Sequence, residues 1–320
     1  MTGATEPGTA LAARLASGDL SAAPAVLNLV ESTAERDRAA RDALLAGVGP
    51  AALGREATGQ IVGVTGPPGA GKSSLLSELC RTWRERGLSV AVLAVDPSSK
   101  RSGGSLLGDR ARIAFDPADA GLFIRSTAAG DRLGGLAPAT RAAAQALAAA
   151  FDVVVIETVG VGQSETDVSE VADTVCVVVQ PGSGDVLQFL KSGIMEIPDV
   201  LVVTKSDLGQ LALRARRDLS AALRSAGSRE TKVIAVSSIA PPQGIDELAT
   251  AISAHAAGLD LPARRASARR AGAIAEFEAE NGRSGMRALG GRRAAEKLLD
   301  EAGPELDQPA LVAILEASRR

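Results

Sequence analysis

The feature that most constrains the fold is a glycine-rich stretch at residues 66–73, Gly-Pro-Pro-Gly-Ala-Gly-Lys-Ser. It has the spacing G-x-x-x-x-G-K-[ST] of a phosphate-binding P-loop. The apolar run 61–65 before it is typical of a buried strand, and 74–79 after it has apolar residues at helical spacing. Such a loop aims backbone N–H groups and the positive end of a helix at one point. The sequence therefore predicts a nucleoside triphosphate site, with Lys72 on the phosphates and Ser73 on Mg²⁺.

The composition is that of a globular α/β protein. The chain has 320 residues, of which 46% are hydrophobic, and a net charge of −3 that gives no sign of a nucleic-acid partner. Cys80 and Cys176 lie in separate apolar patterns, which favours reduced core thiols, and the single histidine, His255, argues against a His/Cys metal site. We find no apolar run long enough to cross a membrane and no signal-peptide pattern, so we expect a cytoplasmic protein without a membrane partner.

Strand and helix patterns alternate through the middle of the chain. Because most of the strand candidates are unbroken Val/Ile/Leu runs, we expect helices on both faces of the sheet. The pattern predicts the doubly wound, mainly parallel sheet of a P-loop NTPase, with ligands beyond the carboxyl ends of the strands. The predicted strands are 61–65, 90–95, 122–125, 153–156, 175–179, 200–203 and 233–236, and the clearest helices are 72–86, 138–150 and 208–226.

The two ends of the chain have a different pattern. We interpret 1–58 as an N-terminal helical extension, 59–257 as the P-loop GTPase domain, and 258–320 as a C-terminal helical arm. The arm would begin with a basic linker at 261–265 and would serve dimerisation or docking. The N-terminal extension would bind a partner, with a structural cap on the central domain as the alternative. For the C-terminal arm the alternative is a helical cap or a partly mobile tail.

Acidic residues follow two of the predicted strands. Asp96 ends the second strand, Asp109 lies in the glycine-rich loop that follows, and Glu157 ends the fourth strand. We expect these carboxylates near Mg²⁺, directly or through water, because Mg²⁺ keeps several waters and takes one or two protein oxygens. A turn at Asp96 and a helix cap at Asp109 are the alternatives. Gly160 and Gln163 follow Glu157 in a predicted switch loop that would respond to the γ-phosphate.

A second motif indicates which base is bound. The run Thr204-Lys205-Ser206-Asp207 resembles the guanine motif N-K-x-D, with Thr204 in place of asparagine. Guanine offers an N1–H and a 2-amino group to one carboxylate, whereas adenine offers neither, so Asp207 favours GTP. A helix N-cap is the alternative. The predicted GTP-binding residues are Gly69, Ala70, Gly71, Lys72, Ser73, Ser74, Thr204, Lys205, Asp207, Ser237 and Ser238.

The loop after the fifth predicted strand carries polar residues spaced by three, Asp185, Gln188 and Lys191. A solvated turn is the alternative to a third switch that senses the nucleotide and reports to a partner. We predict Lys72, Asp96, Glu157 and Lys191 as the catalytic group. The sequence identifies no arginine finger, so a partner would either supply one or order Lys191 for the same charge role.

Four stretches together resemble one family. GPPGAGKSS, VDPSS with GGSLLGDR, ETVGVGQSE and GSGDVLQFLK are similar to the methylmalonyl-CoA mutase-associated GTPases, cobalamin-trafficking chaperones also known as arginine/ornithine transport-system kinases. The resemblance implies a homodimeric GTPase that docks on an adenosylcobalamin-dependent acyl-CoA mutase. It would gate cofactor delivery and protect or reactivate the mutase. Two alternatives stay open: a metallochaperone GTPase for a nickel enzyme, which needs a Cys/His cluster, and a kinase of a transport system, against which Asp207 argues.

Overall fold

A computed structural model describes residues 2–96, 113–128, 136–158, 168–182, 198–225, 227–228 and 230–319. Several predicted site residues lie outside this part of the chain, namely Asp109, Gly160, Gln163, Asp185, Gln188 and Lys191.

The strands of the described residues form one parallel sheet. They are β1 (Gln60–Thr65), β2 (Val90–Asp96), β3 (Leu122–Ala128), β4 (Val153–Glu157), β5 (Thr174–Val179), β6 (Val200–Val203) and β7 (Lys232–Ala235). Their order is β3-β2-β4-β1-β5-β6-β7, and every neighbouring pair is parallel. The side chains of β4, β5 and β6 are buried along their whole length. The predicted parallel sheet of a P-loop NTPase is therefore confirmed.

Helices precede, connect and follow these strands. The described helices are α1 (Thr2–Ala16), α2 (Ala23–Glu31), α3 (Glu35–Gly47), α4 (Pro50–Leu53), α5 (Lys72–Glu85), α6 (Pro138–Leu147), α7 (Gln210–Ser225), α8 (Ile245–Ala257), α9 (Leu261–Ala288), α10 (Arg292–Asp300) and α11 (Gln308–Ala317). In the part of the chain that the structure describes, no helix combines the length and the apolar character that a membrane crossing requires.

The chain forms two compact units. The first comprises Met1–Gly59, Ala137–Phe151 and Asp260–Arg320 and contains α1–α4, α6 and α9–α11. The second comprises Gln60–Leu136 and Asp152–Leu259 and contains the sheet with α5, α7 and α8. The helical first unit thus takes both chain ends and one helix from the middle of the sequence.

The core of the sheet unit lies between the sheet and two helices. Leu76, Leu79 and Trp83 of α5 and Leu248 and Ile252 of α8 pack against valines of β1, β5 and β6. These residues are fully buried, and the only tryptophan of the chain is among them. Burial of such large apolar side chains contributes about 1.5–3 kcal/mol each, so this layer fixes the strands that carry the loops.

The prediction of a basic linker at 261–265 is wrong, because these residues form the first turn of α9. Asp260 caps the helix by accepting a hydrogen bond from the N–H of Ala263 at 3.1 Å. The guanidinium of Arg265 is buried and donates to the carbonyl oxygens of Ala57 and Gly59. The charge that suggested a solvated linker is therefore satisfied by backbone carbonyls inside the helical unit.

One turn further along α9, Arg269 binds the segment before the sheet. Its guanidinium donates to both carboxylate oxygens of Glu56, at 3.0 and 2.9 Å, and to the carbonyls of Pro304 and Leu306 at 2.6 and 3.0 Å. Both side chains of this pair are largely buried. A buried pair needs such additional hydrogen bonds to offset the cost of removing two charges from water.

Candidate functional site

The P-loop connects β1 to α5, and its backbone requires glycine. Gly66 has φ 145°, and a Cβ at this position would lie 2.1 Å from the carbonyl oxygen of Val178 in β5. Gly69 and Gly71 have φ 76° and 89°, the left-handed region that other residues rarely adopt. Gly71 is the N-cap of α5, so the helix begins directly at Lys72. The helix N-terminus therefore faces the loop, as phosphate binding requires.

The Lys72 side chain folds back over the loop. Its Nζ donates to the carbonyl oxygens of Gly66 at 2.6 Å and Pro67 at 3.2 Å. These two bonds hold a buried ammonium group at the start of the loop. To reach a phosphate, the ammonium group must exchange carbonyl oxygens for phosphate oxygens.

Ser73 and Glu157 meet beside the loop. The Ser73 hydroxyl donates to Oε1 of Glu157 at 3.3 Å. Glu157 is the last residue of β4 and pairs with Val64 of β1, which explains how the sequence brings the two side chains together. Glu157 is buried, so its carboxylate has little access to bulk water.

A hydroxyl and a carboxylate oxygen are the hard donors that Mg²⁺ prefers, so these residues fit the metal. Asp96 ends β2, and its strand neighbour β4 brings it to the same edge of the sheet as Glu157. The side chain of Asp96 and the whole of Asp109 lie outside the described residues. Among the residues that are described, no group of three or more His, Cys, Asp or Glu side chains could hold a metal ion by itself.

The T-K-S-D segment is tied to the P-loop. The buried Thr204 hydroxyl donates to the carbonyl oxygen of Ala70 at 2.6 Å and lies 3.1 Å from that of Val179. Lys205 adopts a left-handed backbone with φ 53°, and its Nζ binds the side-chain oxygen of Gln180 and lies 3.4 Å from the carbonyl of Gly69. Thr204, which stands where the motif has asparagine, thus connects the two loops.

Asp207 is held from the next loop. The hydroxyl of Ser237, which is buried, donates to Oδ1 of Asp207 at 2.7 Å, and the Ser206 N–H donates to the carbonyl of Val236 at 2.9 Å. Ser237 is itself fixed by two backbone hydrogen bonds with Gln243, at 3.0 and 2.9 Å. Asp207 is exposed, so a base can approach its carboxylate. Ser238, the neighbour of Ser237, is half-buried at the same edge.

The structure therefore brings the predicted P-loop residues, Glu157, the T-K-S-D segment and Ser237 to the carboxyl ends of neighbouring parallel strands. Sequence reasoning missed Gln180 as a site residue. Its position directly after β5, at the same edge of the sheet, is the signal that could have found it.

The cysteines and the histidine lie elsewhere. Cys80 and Cys176 are buried and free. Burial raises the pKa of the Cys80 thiol to about 12, and it also raises the pKa of the Cys176 thiol, so both stay protonated at neutral pH. His255 accepts or donates through Nδ1 to the Thr174 hydroxyl at 2.9 Å, with Nε2 3.3 Å from Asp199. These contacts connect the end of α8 to Thr174 of β5 and to Asp199, which precedes β6.

Comparison with known proteins gives one family. The family model "Methylmalonyl Co-A mutase-associated GTPase MeaB" matches residues 23–281. A Pyrococcus abyssi protein described as a candidate GTPase is 46% identical over 195 residues, which are 61% of this chain and 58% of that protein. The "Methylmalonic aciduria type A homolog, mitochondrial" of Caenorhabditis elegans is 41% identical over 213 residues, 63% of this chain and 52% of that protein. The chain thus spans between half and three-fifths of the length of these two relatives.

A solved structure has the same fold along nearly the whole chain. The crystal structure of a protein named "LAO/AO transport system kinase" is 27% identical, with a TM-score of 0.64, and the match covers 97% of this chain and 96% of that one. Its likeness extends beyond the sheet to both terminal helical segments.

Proposed function

Because the chain belongs to the methylmalonyl Co-A mutase-associated GTPase family, MeaB, we propose that it is a GTP-hydrolysing chaperone of an adenosylcobalamin-dependent acyl-CoA mutase. The observation that carries the proposal is the connection of a complete P-loop to a guanine-type loop through Thr204 and Ala70. The name of the C. elegans relative, which refers to methylmalonic aciduria, supports the link to such a mutase. On this proposal the protein gates cofactor delivery, protects or reactivates the mutase, and acts as a homodimer.

The phosphate end of the site would work through Lys72, Ser73 and Glu157. Lys72 exchanges the carbonyls of Gly66 and Pro67 for the β- and γ-phosphate oxygens and neutralises their charge. Glu157 orients the Ser73 hydroxyl from 3.3 Å, and the two oxygens would hold Mg²⁺ or its water, with Asp96 and Asp109 completing the acidic shell. When bound, Mg²⁺ would supply positive charge that neutralises the phosphate oxygens.

The switches would couple this chemistry to the partner. Gly160 and Gln163 would respond to the γ-phosphate after Glu157. Asp185, Gln188 and Lys191 would form the third switch, with Lys191 brought to the phosphates when the mutase docks. Without the mutase this charge would be missing from the transition state, so basal turnover would be slow. A positive charge supplied there accelerates hydrolysis by a factor of about 10³–10⁵.

The base end of the site would select guanine. The Asp207 carboxylate would accept hydrogen bonds from guanine N1–H and the 2-amino group, while the Ser237 hydroxyl keeps the carboxylate in place. Lys205 would lie along the base, and Ser238 would line the last loop. Adenine in this site would offer the carboxylate no hydrogen-bond donor from the base.

The first experiment measures GTP turnover by the full chain, with and without a cobalamin-dependent acyl-CoA mutase from the same source. We expect the mutase to raise turnover by an order of magnitude or more, about 1.4 kcal/mol in barrier. Intact GTP binding with unchanged turnover, repeated across acyl-CoA mutases of that source, would contradict the proposed function.

The base specificity has its own test, the variant Asp207→Asn. An amide in this position donates to the 2-oxo group of xanthine, whereas it offers only one acceptor to guanine. We expect GTP affinity to fall about 10²-fold or more and XTP affinity to rise, because hydrogen bonds to a charged group contribute about 1.5–3 kcal/mol each. The control Asp218→Asn removes the same charge from an exposed position on α7.

A nucleotide-binding titration also distinguishes the proposed GTPase from a second candidate function. The second candidate is a kinase, which the name of the solved transport-system kinase favours. Equal competition by ATP and GTP for the wild-type site would support that candidate and would contradict the role of Asp207 given above.

A further inference from the structure

Apolar side chains are exposed next to the base-binding loop. In the part of the chain that the structure describes, the large apolar side chains that stand out in solvent are Leu208, Leu211, Leu213 and Ile239, exposed by 46%, 52%, 44% and 64%. We call these four residues the base-edge patch. Leu208 directly follows Asp207, and Leu211 and Leu213 lie in the first turn of α7. Ile239 lies two residues after Ser237, on the loop that follows β7.

Hydrogen bonds hold the two segments of the patch side by side. Strands β6 and β7 are parallel neighbours, so the loops at their carboxyl ends meet at one edge. The hydroxyl of Ser237 donates to Asp207 at 2.7 Å, and the N–H of Ile239 donates to the same hydroxyl oxygen at 3.2 Å. The patch is therefore connected to the residue that would recognise guanine by two consecutive hydrogen bonds.

Single exposed apolar residues need no explanation, but their collection on two joined segments does. The rest of the described surface keeps its large apolar side chains at least partly buried. Such a concentration is typical of the apolar centre of a protein–protein interface, where a partner covers the side chains.

The charge beside the patch indicates what kind of surface would cover it. Arg214, Arg216 and Arg217 follow on the next turn of α7 and are exposed. None of the three has an ion-pair partner within the residues that the structure describes. Asp218 is the only acidic residue of this helix. A chain with a net charge of −3 thus carries a cluster of positive charge on the α7 side of the patch, which is complementary to carboxylates on a partner surface.

We propose that the base-edge patch docks the partner mutase through an apolar surface rimmed by carboxylates, and that docking changes the affinity for guanine nucleotides through Ser237 and Asp207. This inference rests on the proposed function, which supplies the partner. Because binding linkage is reciprocal, nucleotide binding must change mutase affinity by the same factor. GDP and GTP carry the same base, so the part of the coupling that runs through Ser237 and Asp207 changes the affinity for both nucleotides by the same factor. A device that reads the γ-phosphate would change only one of them.

The test compares Leu211→Glu with the control Ala221→Glu. Both add one carboxylate to an exposed position of α7, and the two positions are about 15 Å apart along the helix. An acidic residue in the first helical turn suits the helix dipole, so Leu211→Glu should keep the wild-type melting temperature and GDP affinity. We expect Leu211→Glu to weaken mutase binding at least tenfold and to remove the effect of the mutase on release of fluorescently labelled GDP. The control should behave as the wild type, and Ile239→Ser should reproduce the loss.

Each other result overturns a defined part of the inference. Equal mutase binding by the wild type and Leu211→Glu would remove the patch from the interface, although the proposed function would stand. A wild-type chain that neither binds the mutase nor changes its GTP turnover would refute the proposed function and this occupant together. Self-association of the wild type that Leu211→Glu abolishes would show that a second copy covers the patch. A mutase effect on GTP affinity alone would refute the route through Asp207.

Discussion

The bond between Thr204 and Ala70 should be tested with Thr204→Val. Thr204 is 4% exposed, and its hydroxyl donates to the Ala70 carbonyl at 2.6 Å. Valine keeps the branched shape of threonine but replaces the hydroxyl with a methyl group. The Ala70 carbonyl then loses a donor in a place that water cannot reach, which costs about 1–3 kcal/mol.

This cost should be visible in both stability and binding. For a unit of this size, about 1 kcal/mol lowers the melting temperature by roughly 2–4 °C, so we expect a decrease of about 2–12 °C. Nucleotide affinity should fall by a factor of about 5–150 at most, since the P-loop would no longer be held by Thr204 before the ligand arrives. Calorimetry on the free protein and titration with labelled GDP measure the two effects separately.

The variant Thr204→Ser is the matched control, because it keeps the donor and loses only a methyl group. It should bind GDP within a few fold of the wild type. Wild-type melting temperature and GDP affinity in Thr204→Val would refute the reasoning, because the bond would then contribute nothing to the arrangement of the two loops.

Two further predictions concern the cores of the two units. Arg269→Met should lower the free energy of unfolding by about 3–5 kcal/mol in a urea titration. The reason is that the Glu56 carboxylate, with 12% of its side chain exposed, remains buried without its cation. Adding Glu56→Leu should recover part of this loss, and a double variant that loses the sum of the two single losses would contradict the pairing. The pKa of Cys80 rises from 9.0 to about 12 on folding, so with increasing pH the unfolded state releases this proton first. The contribution of this thiol to the free energy of unfolding is therefore full below pH 9 and falls by about 1 kcal/mol per pH unit between pH 9 and 12. Above pH 9 the free energy of unfolding of Cys80→Ala should decrease less steeply with pH than that of the wild type.

The sheet was predictable because the burial of its strands determines which residue types they contain. Strands covered on both faces must be apolar along their whole length, so runs of valine and isoleucine between turn residues identify them. The third strand shows the limit of this signal. It was predicted to end at residue 125 but continues to Ala128, because the backbone pairs with β2 up to Asp96. Ser126 and Thr127 are polar, so a hydrophobicity pattern does not show that their backbone pairs with β2.

The site was predictable to the extent that it uses side chains of fixed chemistry. The P-loop glycines, Lys72, Ser73, Glu157 and Asp207 were identified from their types and order. The bonds by which Lys72 and Thr204 hold the P-loop go to backbone carbonyls, which every residue has, so residue types did not predict them. For the same reason a buried Arg265 looked like part of a solvated linker, since its partners are the carbonyls of Ala57 and Gly59.

The way the P-loop carbonyls are satisfied suggests a division of labour within the site. Lys72 holds the carbonyls of Gly66 and Pro67 with an ammonium group that a phosphate would compete for. The Ala70 carbonyl is held by Thr204, a group that no ligand needs to displace. Phosphate binding would therefore rearrange hydrogen bonds, whereas base binding would meet groups already in place.

The two ends of the site should consequently respond to different signals. Rearrangement at Lys72 depends on the number and charge of the phosphates, so it can distinguish GTP from GDP. The preformed pair of Asp207 and Ser237 would contact only the base, so it would not distinguish GTP from GDP. Contacts of the mutase with the base-edge patch would thus control whether any guanine nucleotide stays bound. Contacts of the mutase with the phosphate loops would control hydrolysis. Measuring GDP release and GTP turnover on the same variants separates these two effects, since Leu211→Glu should change the mutase effect on release, and Lys72→Ala should remove turnover.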